Sequence, residues 1–233
     1  MAHAERWTDT GSVNDCCNHD DYGEVFGDDF ARRVARRYRK RGLDRTRRRL
    51  VEFLTEHGIE GATVLEIGGG IGEVHLELLR RGAGSVTNLE ISTNYEQEAA
   101  RLLEGEGYAD RVTRRFHDIA ADPDEVDPAD VVLLHRVVCC YPDYERLLTA
   151  AAGHSRRLLV FSHPPRNLFT RASIGFENLL RRLRHNDFRS FVHPPRAMLA
   201  VVEEQGLARR YQHRGLSWTV VGFERPDRQA AAG

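Results

Sequence analysis

The stretch Val64-Leu65-Glu66-Ile67-Gly68-Gly69-Gly70-Ile71-Gly72 constrains this chain more than any other. An apolar run meets an acidic residue and then a Glu-x-Gly-x-Gly-x-Gly turn. An amphipathic segment follows, with Val74, Leu78 and Leu79 on one face. That order predicts a strand, a tight glycine loop and a helix, the opening unit of a nucleotide-type α/β fold. Glycine lets the backbone approach a ligand closely and adopt φ values that other residues avoid.

The details of the loop narrow the ligand. A dinucleotide fingerprint reads Gly-x-Gly-x-x-Gly and seats a pyrophosphate on the helix N-terminus. Counting from Gly68 puts Glu73 where the third glycine belongs, and counting from Gly70 puts His75 there. Glu66 and Glu73 flank the loop, and their charges repel phosphate. No Gly-Lys-Ser/Thr follows, which excludes a P-loop. A ligand with adenosine, no phosphate and a positive charge fits better, and S-adenosylmethionine is such a ligand.

With these residues the sequence resembles the class I S-adenosylmethionine-dependent methyltransferases. The resemblance implies that Glu66 faces the methionine amino group and that Gly68, Gly69, Gly70 and Gly72 pass under the ligand. Ser85 to Ile91 reads as a second strand ending in Glu90, near the ~20-residue spacing at which a carboxylate accepts ribose hydroxyls. Val112 to Ile119 reads as a third strand followed by Asp118, which the resemblance places beside the adenine amino group. Ile91 and Ile119 are expected to line the same site.

Beyond the loop, strands and helices alternate. A helix is expected from about Asn94 to Leu103, a fourth strand over Ala129 to His135, and a fifth over Arg157 to Ser162. Leu179 to Leu183 and Ala197 to Glu204 look helical. Ala208 to His213 and Leu216 to Glu224 read as a strand pair joined around Gly215. The expected fold is a Rossmann-like, doubly wound α/β sheet in three αβα layers. The resemblance adds a seventh, antiparallel last strand and covers about residues 60–225. Residues 1–59 are expected to form a helical lid, and residues 226–233 a frayed tail.

Composition excludes some roles. Formal net charge is −1, so no global field draws the chain to nucleic acid or an anionic membrane. No run approaches the ~20 apolar residues that span a bilayer, and the first residues lack a signal-peptide core. A cytoplasmic protein acting on a small molecule is the expectation, with oligomeric state open. Asp29 to Arg49 carries eleven basic side chains, read as one amphipathic helix with a solvated arginine face. Tyr38 on that helix is a candidate cofactor or substrate contact.

Four cysteines stand in two adjacent pairs, Cys16-Cys17 and Cys139-Cys140. Ligands of open α/β sheets bind at the carboxyl ends of strands, which places the second pair near the transferred methyl group. If the lid closes, four thiols can meet there. The Cys-x(2–4)-Cys spacing of zinc sites is absent, so no metal is expected. The segment His135 to Tyr144, with Leu147-Leu148 after it, resembles the matching part of magnesium-protoporphyrin O-methyltransferases. Tyr141 and His193 join the candidate substrate contacts. His135 and His163 end strands four and five and are the candidates for proton chemistry, His135 also for the cofactor. An O-acceptor is favoured. S- or arsenic methylation through the cysteines, or a silent S-adenosylmethionine- or RNA-binding role, is the alternative.

Overall fold

The computed structural model describes residues 25–226. Cys16, Cys17 and the expected tail from residue 227 lie outside the described residues. The basic N-terminal region forms two helices rather than one, α1 (Asp28–Arg41) and α2 (Arg45–Glu56). The break is chemical. Gly42 closes α1 at φ 65°, and the Asp44 side chain accepts the Thr46 and Arg47 N–H groups as the N-cap of α2.

The remaining elements alternate as expected: β1 (Thr63–Ile67), α3 (Glu73–Arg80), β2 (Ser85–Glu90), α4 (Glu96–Glu106), β3 (Val112–Phe116) and β4 (Ala129–Leu134). Then come α5 (Tyr144–Gly153), β5 (Ser155–His163), α6 (Leu168–Leu183), α7 (Pro195–Glu204), β6 (Ala208–Arg214) and β7 (Thr219–Glu224). The third strand stops at Phe116, so Asp118 lies in the loop beyond it. Helix α6 starts eleven residues earlier than its apolar C-terminal turns suggest, at the Asn167 N-cap, whose side chain accepts the Thr170 N–H.

One sheet holds all seven strands in the order β3-β2-β1-β4-β5-β7-β6. Strands β1 to β5 pair in parallel, while β7 runs antiparallel to both β5 and β6. Register aligns the carboxyl ends: Ile67 sits beside Leu89 on one side and Leu134 on the other.

Alternation along the strands divides the core between two faces. Val64, Val131, Leu133, Leu158 and Val160 face one side, where they meet Leu50, Phe53 and Leu54 of α2 and Leu76 and Leu78 of α3. Leu65, Val132, Leu134, Leu159 and Phe161 face the other, against Leu147 and Leu148 of α5 and Val202 of α7. Each fully buried leucine contributes roughly 1.5–3 kcal/mol over exposure. Helices α1 and α2 share the first of these clusters, so the N-terminal helices are part of the packed core that holds the glycine loop in place. Among the described residues, no helix is long and apolar enough to cross a membrane.

Candidate active site

The glycine loop leaves β1 at its carboxyl end and turns into α3. Gly68, Gly70 and Gly72 all have positive φ, at 65°, 58° and 88°. Gly68 and Gly72 also have no room for a side chain: a Cβ would lie 2.5 Å from Val137 Cγ2 at the first and 2.3 Å from the His75 ring at the second. The loop therefore requires glycine for both backbone and space.

A cavity of about 730 Å³ opens over this loop. Glu66, Gly68, Gly69 and Gly70 line it from β1, Glu73 from α3, and Glu90 from β2. His135 and Arg136 close it from the end of β4. Phe26 and Phe30, with Arg47 from α2, cover it from the N-terminal side. Glu66 and Glu90 thus come together as expected, and so does His135.

Each carboxylate has a distinct setting. Glu66 is buried, and its Oε2 lies 2.5 Å from His75 Nδ1. Glu90 Oε2 accepts the Gly70 N–H at 2.9 Å, while Oε1 accepts those of Ile91 and Ser92 at 3.0 and 3.3 Å. Burial pushes Glu90 above the ordinary carboxylate range, against the pull of those N–H donors and of Arg114. Three N–H bonds leave lone-pair capacity on Glu90 for a further donor. Burial raises Glu73 as well, opposed by Arg47, whose Nε lies 2.8 Å from Glu73 Oε1. That contact is an ion pair whose N–H does not point at the oxygen. Arg47 also bonds Asp44 at 2.5 Å, and against the effect of burial the Arg47 backbone N–H, then the charges of Arg47 and Arg136, hold Asp44 down at about 2.

His135 is buried. Its Nδ1 lies 2.9 Å from Ser162 Oγ, which also accepts the Arg136 N–H, and its Nε2 has no partner among the described residues. Burial, reinforced by the charges of Arg47 and Arg136, holds His135 well below the ordinary imidazole value, so the ring is neutral.

The other candidates form a second group outside the cavity lining. Asp118 Oδ2 accepts the Tyr141 hydroxyl at 2.8 Å, and Oδ1 accepts the Ala120 N–H. His193 donates from Nε2 to the Tyr141 carbonyl at 2.9 Å and stacks on Phe191. Phe191 N–H in turn bonds the Cys139 carbonyl. Asp118, Tyr141, His193 and Cys139 are therefore one network, with Ile119 buried beside it. Cys139 and Cys140 are free thiols, 3.6 Å apart at sulfur. Their hydrogen bond lowers the Cys139 thiol against the effect of burial. Among the described residues, no group of three or more His, Cys, Asp or Glu side chains is placed to hold a metal.

Two candidates lie elsewhere. Tyr38 turns its hydroxyl to α3, donating to Glu77 at 2.7 Å and accepting from Arg80 at 3.0 Å. It fastens α1 to α3. His163 is buried under the sheet end, with Nδ1 donating to the Pro164 carbonyl. Burial keeps it below its ordinary value. Sequence reasoning missed Arg47, Phe26, Phe30 and Tyr95 as cavity residues. The Asp44 cap, readable from Gly42-Leu43-Asp44, was the available signal for Arg47.

The residues fit a cationic adenosyl ligand. Glu66, Glu73 and Glu90 line the cavity together with Arg47 and Arg136, and the glycines of the loop leave its backbone open to a ligand. Fold and site together define the class I S-adenosylmethionine-dependent methyltransferase architecture, and S-adenosylmethionine is the methyl donor of that class. The chain belongs to the methyltransferase domain family, whose model matches residues 34–220. No curated protein matches it at a significant level. Among solved structures, magnesium protoporphyrin IX methyltransferase from Synechocystis PCC 6803 with bound SAH superposes at TM-score 0.66 and 19% identity, over 89% of this chain and 94% of that one. An O-methyltransferase family protein from Burkholderia thailandensis gives 0.64 and 19%, over 90% and 69%. Geranyl diphosphate C-methyltransferase from Streptomyces coelicolor A3(2) gives 0.59 and 15%, over 76% and 79%. At these identities the likeness is one of fold.

Proposed function

We propose that the cavity over the glycine loop binds S-adenosylmethionine and that the chain transfers its methyl group to an oxygen of a small molecule. The observation that carries this reading is the convergence of Glu66, Gly68–Gly70, Glu90 and His135 on one cavity at the carboxyl ends of β1, β2 and β4. When bound, the cofactor supplies an electrophilic methyl group on a sulfonium.

The protein's residues then have separable roles. Glu66 offers a carboxylate to the methionine ammonium, and Glu90 offers its remaining lone pair to the ribose. The loop lets the ligand lie against backbone. Alignment of nucleophile, methyl carbon and sulfur is the main catalytic requirement, and a rigid strand-end frame meets it. His135 is the proton acceptor for a hydroxyl nucleophile, in the tautomer with the proton on Nδ1, donating to Ser162 Oγ, and the lone pair on Nε2. Cys139 and Cys140 stand outside the cavity lining, which favours oxygen over a thiol-bound acceptor.

Calorimetric titration of the full chain with S-adenosylmethionine and S-adenosylhomocysteine, with NAD as control, tests the reading. Micromolar binding of the first two alone is expected. Binding of NAD, or of none of the three to folded protein, would overturn it.

A further inference from the structure

Beside the loop cavity lies a second, more open one of about 1020 Å³. Arg37, Arg41, Arg45, Arg48 and Arg136 wall it. Among the described residues its one carboxylate, Asp44, is already committed. It caps α2, pairs with Arg47 at 2.5 Å, and reaches Arg136 only at 3.5 Å. Among the described residues, no acidic side chain pairs with Arg37, Arg41, Arg45 or Arg48.

Elsewhere on α1, α2 and α3 several arginines are matched. Arg39 pairs with Glu98, Arg47 with Glu73, and Arg80 with Glu77 and Glu106. Five guanidinium groups, four of them without an acidic partner among the described residues, surround one opening, where they repel one another. A guanidinium is a rigid fork that binds carboxylate or phosphate with two parallel hydrogen bonds. An occupant with several negative charges relieves the repulsion and satisfies the forks.

Arg136 links the two cavities, lining both. Its guanidinium lies over the Trp218 ring, 4.8 Å from the centroid, and its backbone is held at φ 60°. A left-handed non-glycine residue is strained and persists where the surroundings over-determine it. The Ser162 Oγ bond to its N–H and the Trp218 contact supply that restraint.

We propose that this second cavity holds the anionic part of the methyl acceptor, a small molecule with two or more carboxylate or phosphate groups. The acceptor atom extends past Arg136 toward His135. The inference rests on the reading of the first cavity as the methyl-donor site. A nucleic acid is disfavoured because, among the described residues, Trp218 is the one aromatic side chain in the lining, and Arg136 lies over one of its two faces.

The test is calorimetry on the full chain, both free and loaded with S-adenosylhomocysteine. The probes are tricarballylate, inorganic pyrophosphate, acetate as a single-charge control, and an eight-nucleotide single-stranded RNA. At least one polyanion is expected to bind more tightly than acetate, and the preferred one separates carboxylate from phosphate chemistry. The double variant Arg41→Gln/Arg45→Gln, both residues exposed, is expected to weaken that binding about tenfold or more while the affinity for S-adenosylhomocysteine holds. The proposal is overturned if neither polyanion exceeds acetate, or if the double variant binds it equally well. RNA binding tighter than either probe, lost in the same variant, would assign the patch to nucleic acid instead. Absence of S-adenosylhomocysteine binding is a separate failure, that of the donor site, and the free-protein titrations still decide the arginine cavity.

Discussion

The two cavities that meet at Arg136 differ in charge and in how they are built. The one over the glycine loop is lined by Glu66, Glu73 and Glu90, and comes mostly from three short connections at strand ends. The one beside it is lined by five arginines, and is assembled from the end of α1, the start of α2, the turn after β4 and the β6–β7 turn. The contrast teaches how one fold can accept a cationic donor and an anionic partner together. The first cavity sets three carboxylates against Arg47 and Arg136, the second sets five arginines around the already committed Asp44, and Arg136 belongs to both. It also shows that the carboxylate wall belongs to the sheet scaffold, whereas the arginine wall depends on the packing of the N-terminal helices.

Changes in the carboxylate wall carry the largest expected effects. Gly70→Val places a branched side chain at φ 58°, with its Cβ already in contact with the Tyr95 ring at 3.6 Å. Loss of S-adenosylhomocysteine binding by about 100-fold is expected in calorimetry, with a circular dichroism spectrum that stays folded, since a β-branched residue at positive φ is strained by about 1–3 kcal/mol and its methyl groups take up ligand space. Retained binding would remove the loop from the site.

Next is Glu90→Ala. It strips the acceptor from the Gly70, Ile91 and Ser92 N–H groups. A buried donor without a partner costs about 1–3 kcal/mol. Lower unfolding free energy and at least roughly tenfold weaker cofactor binding are expected. Weaker stability with unchanged affinity would make Glu90 a brace for the loop alone.

A pH experiment sharpens the contrast further. His135 and His163 are held below their ordinary value when folded. The unfolded chain therefore binds more protons at these two sites below about pH 6.5, and their share of the stability falls as pH drops through that value. The raised carboxyls of Glu73 and Glu90 act in the opposite sense, so the His135 share is read as a difference: between pH 7 and pH 5 the urea midpoint of His135→Asn is expected to fall less, or rise more, than that of the parent. An equal slope in the variant would mean that His135 is charged in the folded protein.

The smallest effect expected is that of Tyr38→Phe. Removing the hydroxyl breaks its bonds to Glu77 and Arg80, so roughly 0.5–1.5 kcal/mol of stability is lost while cofactor affinity stays the same. A clear loss of affinity would return Tyr38 to the binding site.

How much of this was legible in the sequence follows the same division. The loop, the strand ends at Glu66 and Glu90, the alternation of the sheet and the final hairpin were readable because each is specified within a few adjacent residues. The pairing of Glu66 with His75 was not, since a ring tucked beneath Gly72 leaves no trace in apolar periodicity. The break between the N-terminal helices had a local signal in Gly42-Leu43-Asp44, but the arginine-rich pattern is the same before and after it, so periodicity alone runs straight through. The long, exposed helix α6 escaped for a related reason: Leu168, Phe169 and Phe176 are apolar yet 84%, 82% and 61% exposed, so burial did not shape its pattern. The arginine cavity drew on segments 37–48, 136 and 217–218, which only tertiary packing brings together.

The position of β7 has a consequence for how the chain is made. Strand β5 is completed some sixty residues before Thr219, yet its second edge waits for β7, and β6 has no other neighbour in the sheet. While synthesis passes through α6 and α7, the nascent chain presents the open edge of a strand whose Leu159, Val160 and Phe161 are destined to be fully covered. Such an edge invites pairing with other chains. The six residues Thr219–Glu224 close that edge and attach β6 in a single step. A ribosome that stalls before Thr219 therefore leaves two strands unplaced, and the growing chain needs shelter from its neighbours until those residues emerge.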